Sequence, residues 1–309
     1  MKMNRFARLL CTLTLFAIHA QTGKAAPTEL QPDPPHSCEY CEGWSRGHEP
    51  FKVYGNTWYV GSALSSILIT SKEGHILIDG GLTQTAAQIA ANIQKLGFRL
   101  EDVKLILNSH MHYDHAGGIA ALQRASGAQV AASPAGRRAL ESGGPLADDP
   151  QFTFGPEHNN FPAVKNVLEI ADGEELRVGE LRITSHFTPG HTPGGTSWTW
   201  TSCEGDVCKA MVYADSLNSV SAPGFRFSGD ATHPSLLASF THSIDVVASL
   251  KCDILLAPHP ESIELDAKLA ARAAKPSVDP FIDRQACRAY AEGARQRLKK
   301  RVDEEHAQK

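Results

Sequence analysis

The chain has 309 residues and a formal net charge of −4, with 42% hydrophobic and 21% charged residues. This composition is ordinary for a soluble globular protein and is sufficient for a sizeable core without help from a metal. The slight acidic excess gives no reason to expect nucleic acid as a partner.

The N-terminus is typical of an export signal. Three basic residues come first, namely Lys2, Arg5 and Arg8. An apolar run over residues 9–18 follows, and small residues stand at Ala20 and at Ala26. The run is too short to cross a bilayer core of about 30 Å. We therefore expect residues 1–20 to be a signal peptide, with cleavage as late as residue 26 as the alternative. The mature protein is expected in the periplasm, free of the membrane.

Removing Cys11 with the signal leaves six of the seven cysteines. An even number in an oxidising compartment favours disulfides, although six cysteines allow 15 pairings. The expected pairs are Cys203–Cys208, across a hairpin end, and Cys252–Cys287, between a late strand and the last helix. Cys38 and Cys41 form a close pair, and no second C-x-x-C accompanies them to favour the rival interpretation, a thiolate zinc site.

The predicted elements follow in chain order. Residues 27–50 are rich in Pro, Glu and His and predict an irregular arm, and residues 51–309 predict one domain. Short apolar or alternating runs predict strands at 52–54, 57–60, 66–70, 75–79, 103–107, 129–132, 167–170, 175–178, 181–184, 197–201, 209–213 and 253–258. Helical patterns predict helices over 83–96, 119–127 and 281–305. The Gly-, Pro- and Asp-rich segment 143–161 predicts a long loop, and such loops are often functional.

Four residues able to bind a metal lie within six positions, in the pattern His-x-His-x-Asp-His: His110, His112, Asp114 and His115. The buried strand 103–107 precedes them, and Gly117 and Gly118 lead into a helix. Neutral imidazoles and a carboxylate are ligands that suit zinc. Because four residues cannot fill two metal sites, the motif predicts further histidines on later loops.

Two later histidines fit that prediction. His191 lies in the turn Pro189-Gly190-His191-Thr192-Pro193, and His259 directly follows the apolar strand 253–258. Either histidine alone would more often be structural, but with the first motif they indicate a metal centre. The runs of strands, each followed by helix, predict two packed sheets with helices on both outer faces.

These three motifs together resemble the metallo-β-lactamase superfamily, over residues 52–297. The resemblance implies an αββα sandwich, an α/β fold of two mixed sheets, with two zinc ions along one edge. It implies that the first zinc is bound by His110, His112 and His191. It implies that the second zinc is bound by Asp114, His115 and His259.

The segment after the hairpin distinguishes branches of that superfamily. In glyoxalase-type thioesterases and lactonases an aspartate bridges both metals, and Asp215 could be such a bridge. The longer strings 194–200 and 211–217, and the opening 52–61, instead resemble the third subclass of class B β-lactamases, in which a serine, here Ser216, occupies that place. Some secreted relatives carry a cysteine where this chain has Ala63 and Leu64, which favours a Cys38–Cys41 bridge over a link from arm to core.

The resemblance implies zinc-dependent hydrolysis of the β-lactam ring of penicillins, cephalosporins and carbapenems by a zinc-bound hydroxide, conferring antibiotic resistance. Asp114 is expected to orient the nucleophile as well as bind zinc, and Asp79 to brace the ligand loop. Ser216, Asn218 and Gln151 are candidates for substrate contact. The alternatives are a lactonase or thioesterase with Asp215 as bridging ligand, and a non-enzymatic zinc-binding protein, which the dense ligand set disfavours. The partner is a small molecule, and we expect a monomer. Seven other histidines are expected to be structural or on the surface: His36, His48, His75, His158, His186, His233 and His242.

Overall fold

The computed structural model describes residues 30–307, so the predicted signal peptide and Cys11 lie outside it. The first sheet has seven strands in sequence order: β1 (Phe51–Tyr54), β2 (Thr57–Tyr59), β3 (Ile67–Ser71), β4 (Gly74–Ile78), β5 (Val103–Leu107), β6 (Gln129–Ala132) and β7 (Leu168–Glu169). Strands β1 to β4 are antiparallel, whereas β4 to β7 run parallel. The carboxyl ends of the parallel strands therefore meet at one edge.

The second sheet has five strands: β8 (Glu175–Val178), β9 (Leu181–Phe187), β10 (Thr196–Glu204), β11 (Val207–Tyr213) and β12 (Ile254–Leu256). Their spatial order is β12-β11-β10-β9-β8, and only β12 is parallel to its neighbour. The helices of the described part are α1 (Cys41–Trp44), α2 (Ala86–Lys95), α3 (Tyr113–Ala116), α4 (Ile119–Ser126), α5 (Pro134–Ser142), α6 (Pro156–Asn159), α7 (Leu237–Ser249), α8 (Leu265–Ala274) and α9 (Ala286–Ala307). Single 3-10 turns lie at Thr83–Thr85, Leu100–Asp102, Phe152–Phe154 and Pro260–Ile263.

Strand β4 shows how the layers pack, because all five of its residues are buried. Ile76 belongs to the apolar cluster that also holds Trp198 of the second sheet, while the adjacent Leu77 belongs to the cluster that holds Ile89 of α2. A strand covered on both faces reads as a continuous apolar run, as this one does. The two mixed sheets with helices outside them confirm the predicted αββα sandwich. The extent of the domain, 51–309, stays a prediction.

The last helix begins at Ala286, five residues later than predicted. Phe281 is fully buried, and Ile282 pairs with Ile254 in an isolated antiparallel bridge. These tertiary contacts hold the segment in one bridge flanked by turns, so the regular helix begins only at residue 286. No helix within residues 30–307 is long and apolar enough to cross a membrane.

The segment 143–161 is a loop at both ends but contains the 3-10 turn Phe152–Phe154 and the one-turn helix α6. Gly155 precedes α6 with φ 90, and Pro156 occupies the first helical position, where its missing N–H costs nothing. The disulfides Cys203–Cys208 and Cys252–Cys287 are those expected, and the third, Cys38–Cys41, is the pairing that the resemblance favoured.

Candidate metal centre

Asp79, which directly follows β4, holds the ligand loop, the segment that carries His110, His112, Asp114 and His115. Its carboxylate accepts hydrogen bonds from the Ser109 N–H and hydroxyl, both at 2.7 Å, and from the Asn108 amide at 3.0 Å. The Tyr213 hydroxyl of β11 donates to it at 2.7 Å. Asp79 itself is fully buried with φ 62, in the left-handed region. This network confirms that Asp79 braces the loop, and it joins the loop to both sheets.

The first group of donors is His110, His112 and His191, all buried, whose ligand atoms lie within 4.8 Å of one another. A different hydrogen bond orients each ring. The Nδ1 of His110 contacts Asp215 Oδ1 at 2.8 Å, the Nδ1 of His191 donates to the Asn218 carbonyl at 2.8 Å, and the Nε2 of His112 contacts Asp149 at 3.2 Å. In each case the opposite ring nitrogen is left for a ligand, as in metal sites generally.

The second group is Asp114, His115 and His259. The Nε2 of His115 lies 3.0 Å from Asp114 Oδ2 and 3.1 Å from His259 Nε2. The same carboxylate oxygen is 3.3 Å from His259 Nε2. Three donor atoms thus converge on one point. The ring of His115 lies 4.4 Å from that of His110, so the two groups are adjacent.

Burial sets the charge of the first group. Burial and the neighbouring imidazoles hold the pKa of His110 well below its usual value, and burial lowers the pKa of His191 to about 3. Burial also acts to lower the pKa of His112, but the carboxylates of Asp149 and Asp114 together raise it overall. Two of the three rings are therefore neutral near pH 7, as metal ligands must be.

In the second group, the charges of neighbouring side chains outweigh the effect of burial on the pKa values. Burial opposes ionisation of Asp114, but His115 and His259 outweigh it and hold the pKa of Asp114 well below its usual range. Burial likewise opposes the charged form of His259, but Asp114 and Glu261 raise its pKa to about 10. Asp114 is therefore ionised, as a metal ligand must be.

Asp215 and Ser216 occupy different sides of the first group. Asp215 is fully buried behind His110 and contacts the outer ring nitrogen, whereas Ser216 lines the cavity above the two groups. A bridging carboxylate has to face both metals. Asp215 lies behind His110 and does not face both metals. It therefore orients the His110 ring, and its position disfavours the bridging role considered for it.

The cavity over the two groups has a volume of about 690 Å³. All three residues expected to contact substrate, Gln151, Ser216 and Asn218, line it. Other lining residues were not proposed for the site from the sequence, among them Tyr40, Trp44, Phe154, His158 and Arg297. His158 was expected to be structural or on the surface; its ring does pack edge-on against Tyr113, with centroids 5.2 Å apart, but the residue also lines the cavity.

The N-terminal arm forms part of this wall. The ring of Trp44 lies 5.7 Å from that of His259, and His36 stacks on Tyr113 at 4.2 Å. His36 also exchanges backbone hydrogen bonds with the Gln84 side chain. The arm is irregular apart from α1, as expected, but it also lines the cavity, and His36 packs against Tyr113 rather than being an ordinary surface histidine. The close pair Cys38 and Cys41 was the only signal, since Glu39 and Tyr40 between them line the cavity.

Two stacked mixed sheets, with paired histidine and carboxylate groups along one edge, define the class of the metallohydrolase sandwiches. Comparison with known proteins agrees. The chain belongs to the metallo-β-lactamase superfamily, whose family model, described as Metallo-beta-lactamase superfamily, matches residues 61–201.

Among solved structures, the chain is 52% identical to Rm3 metallo-β-lactamase, with a TM-score of 0.84, covering 87% of this chain and 99% of that one. It is 52% identical to MEM-A1, a subclass B3 metallo-β-lactamase from a soil metagenome library, with a TM-score of 0.82 and coverage of 86% and 100%. It is 44% identical to MIM-1 from Novosphingobium pentaromativorans, with a TM-score of 0.78 and coverage of 86% and 93%.

Among the curated relatives that the chain matches are hydroxyacylglutathione hydrolases. The hydroxyacylglutathione hydrolase of Bradyrhizobium sp. (strain ORS 278) is 32% identical over 150 residues, 48% of this chain and 45% of the relative. That of Maricaulis maris (strain MCS10) is 26% identical over 193 residues, 62% of this chain and 60% of the relative. The chain therefore spans roughly half the length of the curated relatives that it matches.

Proposed function

We propose that this protein is a periplasmic zinc β-lactamase of the third subclass of class B, which opens the β-lactam ring of penicillins, cephalosporins and carbapenems and so confers resistance. One observation carries the proposal: Ser216 faces the cavity over the donor groups, while Asp215 is turned away behind His110. The high identity to β-lactamases along almost their whole length supports it. The three disulfides support an oxidising compartment.

The donors fit two zinc ions. The Nε2 atom of His110 is buried without a hydrogen-bond partner, which a metal would satisfy. In the proposal, His110, His112 and His191 bind one zinc, and Asp114, His115 and His259 bind the other. The two ions, when bound, supply a water-derived nucleophile near neutral pH and polarise the substrate carbonyl.

The side chains around the metals then have defined tasks. Asp114, ionised by its histidine neighbours, accepts a hydrogen bond from the attacking water and orients it. Ser216 and Asn218 contact the substrate from one wall, and Gln151 from the loop opposite. The backbone N–H of Gln151 donates to Asp149 at 2.8 Å, and Asp149 also contacts His112, so this loop is tied to the first donor group.

A thioesterase is the second candidate function, because the curated relatives are named hydroxyacylglutathione hydrolases. Both candidates need the same metals and differ in the substrate. Export and the position of Asp215 favour the lactamase.

One assay separates the two candidates. The purified mature protein is incubated with a carbapenem, with an acyl-homoserine lactone and with an acylglutathione thioester, each with and without a chelator. We expect chelator-sensitive turnover of the carbapenem. Turnover of the lactone or thioester without any β-lactam turnover would overturn the proposal. Sedimentation of the same sample tests the expected monomer.

A further inference from the structure

The last helix, α9, holds the loop that carries Ser216. The Tyr290 hydroxyl donates to the Asp215 carbonyl at 3.0 Å and accepts from the Leu217 N–H at 3.4 Å. Two helical turns later on the same helix, Arg297 donates to the Leu217 carbonyl through Nη2 at 3.3 Å. Residues seven apart share a helix face, so both side chains reach the same loop.

Four of the other basic residues on α9 are ion-paired, and Arg288, which is not, lies outside the cavity. Arg295 pairs with Asp245 at 2.7 Å, Lys299 with Asp303 at 2.6 Å, and Arg301 with Glu305 at 2.9 Å. Arg297 makes no ion pair with any residue in the range 30–307. Within the described residues, therefore, no carboxylate lies at ion-pair distance from its guanidinium.

Arg297 also lines the cavity over the donor groups, and no other Lys or Arg of the described residues does so. The guanidinium carries five N–H donors in a planar fork, of which the Leu217 carbonyl uses one. The remaining donors match the two oxygens of a carboxylate. An unpaired arginine beside Ser216 is therefore placed to bind an anion.

We propose that Arg297 binds the carboxylate that penicillins, cephalosporins and carbapenems carry next to the β-lactam nitrogen, and thereby determines preference for anionic substrates. The bond to Leu217 fixes the guanidinium next to Ser216 and Asn218, so the carboxylate is shared among them. This inference rests on the proposed lactamase function.

The test compares one cephalosporin as its free acid and as its methyl ester. In Arg297→Gln we expect kcat/KM for the acid to fall about tenfold, the size that one modest charged contact supports, almost wholly through KM. Turnover of the ester should be unchanged. Arg297→Lys keeps the charge and should restore most of the preference for the acid. Added salt should raise KM for the acid in the wild type and much less in Arg297→Gln.

Two variants separate charge from loop support. Arg295→Gln removes a neighbouring charge outside the cavity and should leave both substrates unaffected. Tyr290→Phe weakens the loop without changing charge and should slow acid and ester alike. If Arg297→Gln also slows acid and ester equally, Arg297 only supports the loop and the inference is wrong.

A binding measurement keeps the inference distinct from the proposed function. The ring-opened product, a dicarboxylate, is titrated into the zinc-loaded wild type and Arg297→Gln by calorimetry. We expect about tenfold weaker binding to the variant. Equal binding overturns the inference even if the wild type is a lactamase. Absence of β-lactam turnover in the wild type would instead overturn the proposed function.

Discussion

Asp79 combines an unfavourable backbone conformation with a full set of hydrogen bonds. A non-glycine residue at φ 62 costs about 1–2 kcal/mol. The four donors on its carboxylate offset that cost and hold Ser109, and with it His110, in place. The support of the site is thus concentrated in one side chain that does not face the cavity.

Asp79→Asn should destabilise the metal-free protein by about 1–3 kcal/mol, since an amide cannot accept from all four donors in the buried network. Urea unfolding measures this loss. Zinc affinity should fall as well, because the ligand loop loses its support. Tyr213→Phe removes only one of the four donors and should cost less. Equal losses in the two variants would contradict the central role of Asp79.

Asp114→Asn should lower kcat by about a hundredfold even when both metals are bound, because an amide orients the attacking water poorly. Metal content, measured on the same samples by atomic emission, separates this effect from zinc loss. Full turnover with two zinc ions per chain would show that Asp114 has no role beyond metal binding.

Helix α9 is the element that links the C-terminus to the site. The Cys252–Cys287 disulfide joins its first turn to the residues just before β12, the strand that precedes His259, and Tyr290 holds the Ser216 loop. At its far end, Glu305 is buried and accepts from the N–H groups of Phe227 and Ser228, both at 2.9 Å. The helix is therefore anchored at both ends and in the middle.

Removing the Cys252–Cys287 bridge by a double Ala substitution should lower the free energy of unfolding by about 4 kcal/mol, because the unfolded chain without the cross-link has more conformational entropy. Its cysteines are 35 residues apart, whereas Cys203 and Cys208 are 5 apart. The matched double Ala substitution at Cys203 and Cys208 should cost about 2 kcal/mol on the same grounds. Urea unfolding without zinc gives both values, and an equal loss would contradict the entropic explanation.

Glu305 predicts a pH dependence of stability. Burial opposes its ionisation, but the bonds from Ser228, Phe227 and Arg301 lower its pKa below the ordinary 4.5. Because the pKa of Glu305 is lower in the folded state than in the unfolded state, its ionisation stabilises the protein fully at any pH above the unfolded-state pKa. This stabilisation is lost as the pH falls through the folded-state pKa. Glu305→Gln should therefore cost about 1–3 kcal/mol at pH 7, and the difference should shrink below the ordinary pKa. The exposed Glu304→Gln is the control, and a difference independent of pH would contradict this assignment.

The molecule as a whole has a core that does not depend on metal. Its two apolar clusters cover both faces of the first sheet and the inner face of the second. The donor groups lie at the edge of this core, where loops from both sheets meet. Metal binding therefore adds to a fold that already exists.

Chelation should leave the far-ultraviolet circular dichroism spectrum unchanged while lowering the melting temperature. Zinc at a hundred times its Kd would stabilise the folded state by about 2.7 kcal/mol, provided that the unfolded chain does not bind it. Calorimetry with and without zinc checks the shift. Loss of the spectrum on chelation would show that the metals are needed to fold.

The order of the elements and the donor set were readable from the chain because they depend on local information. The run 103–107 predicted β5, and the spacing from His110 to His115 predicted a metal site, since both patterns lie within a few residues. His191 and His259 were found for the same reason, since His191 lies in a Gly-Pro turn and His259 follows an apolar run. The pairings Cys203–Cys208 and Cys252–Cys287 followed from their places relative to those elements, whereas Cys38–Cys41 was favoured by the resemblance.

The residues that orient the metal-binding histidines and line the cavity depend on contacts between distant parts of the chain. No local sequence pattern predicts such contacts. Asp215 reaches His110 across 105 residues and Asp149 reaches His112 across 37. The arm residue Trp44 and the helix residue Arg297 come from opposite ends of the described chain, yet line one cavity. Which face each of them presents is set by packing of the two sheets and α9. Local spacing thus identifies the metal donors, whereas the cavity that would receive a substrate exists only once those layers have packed together.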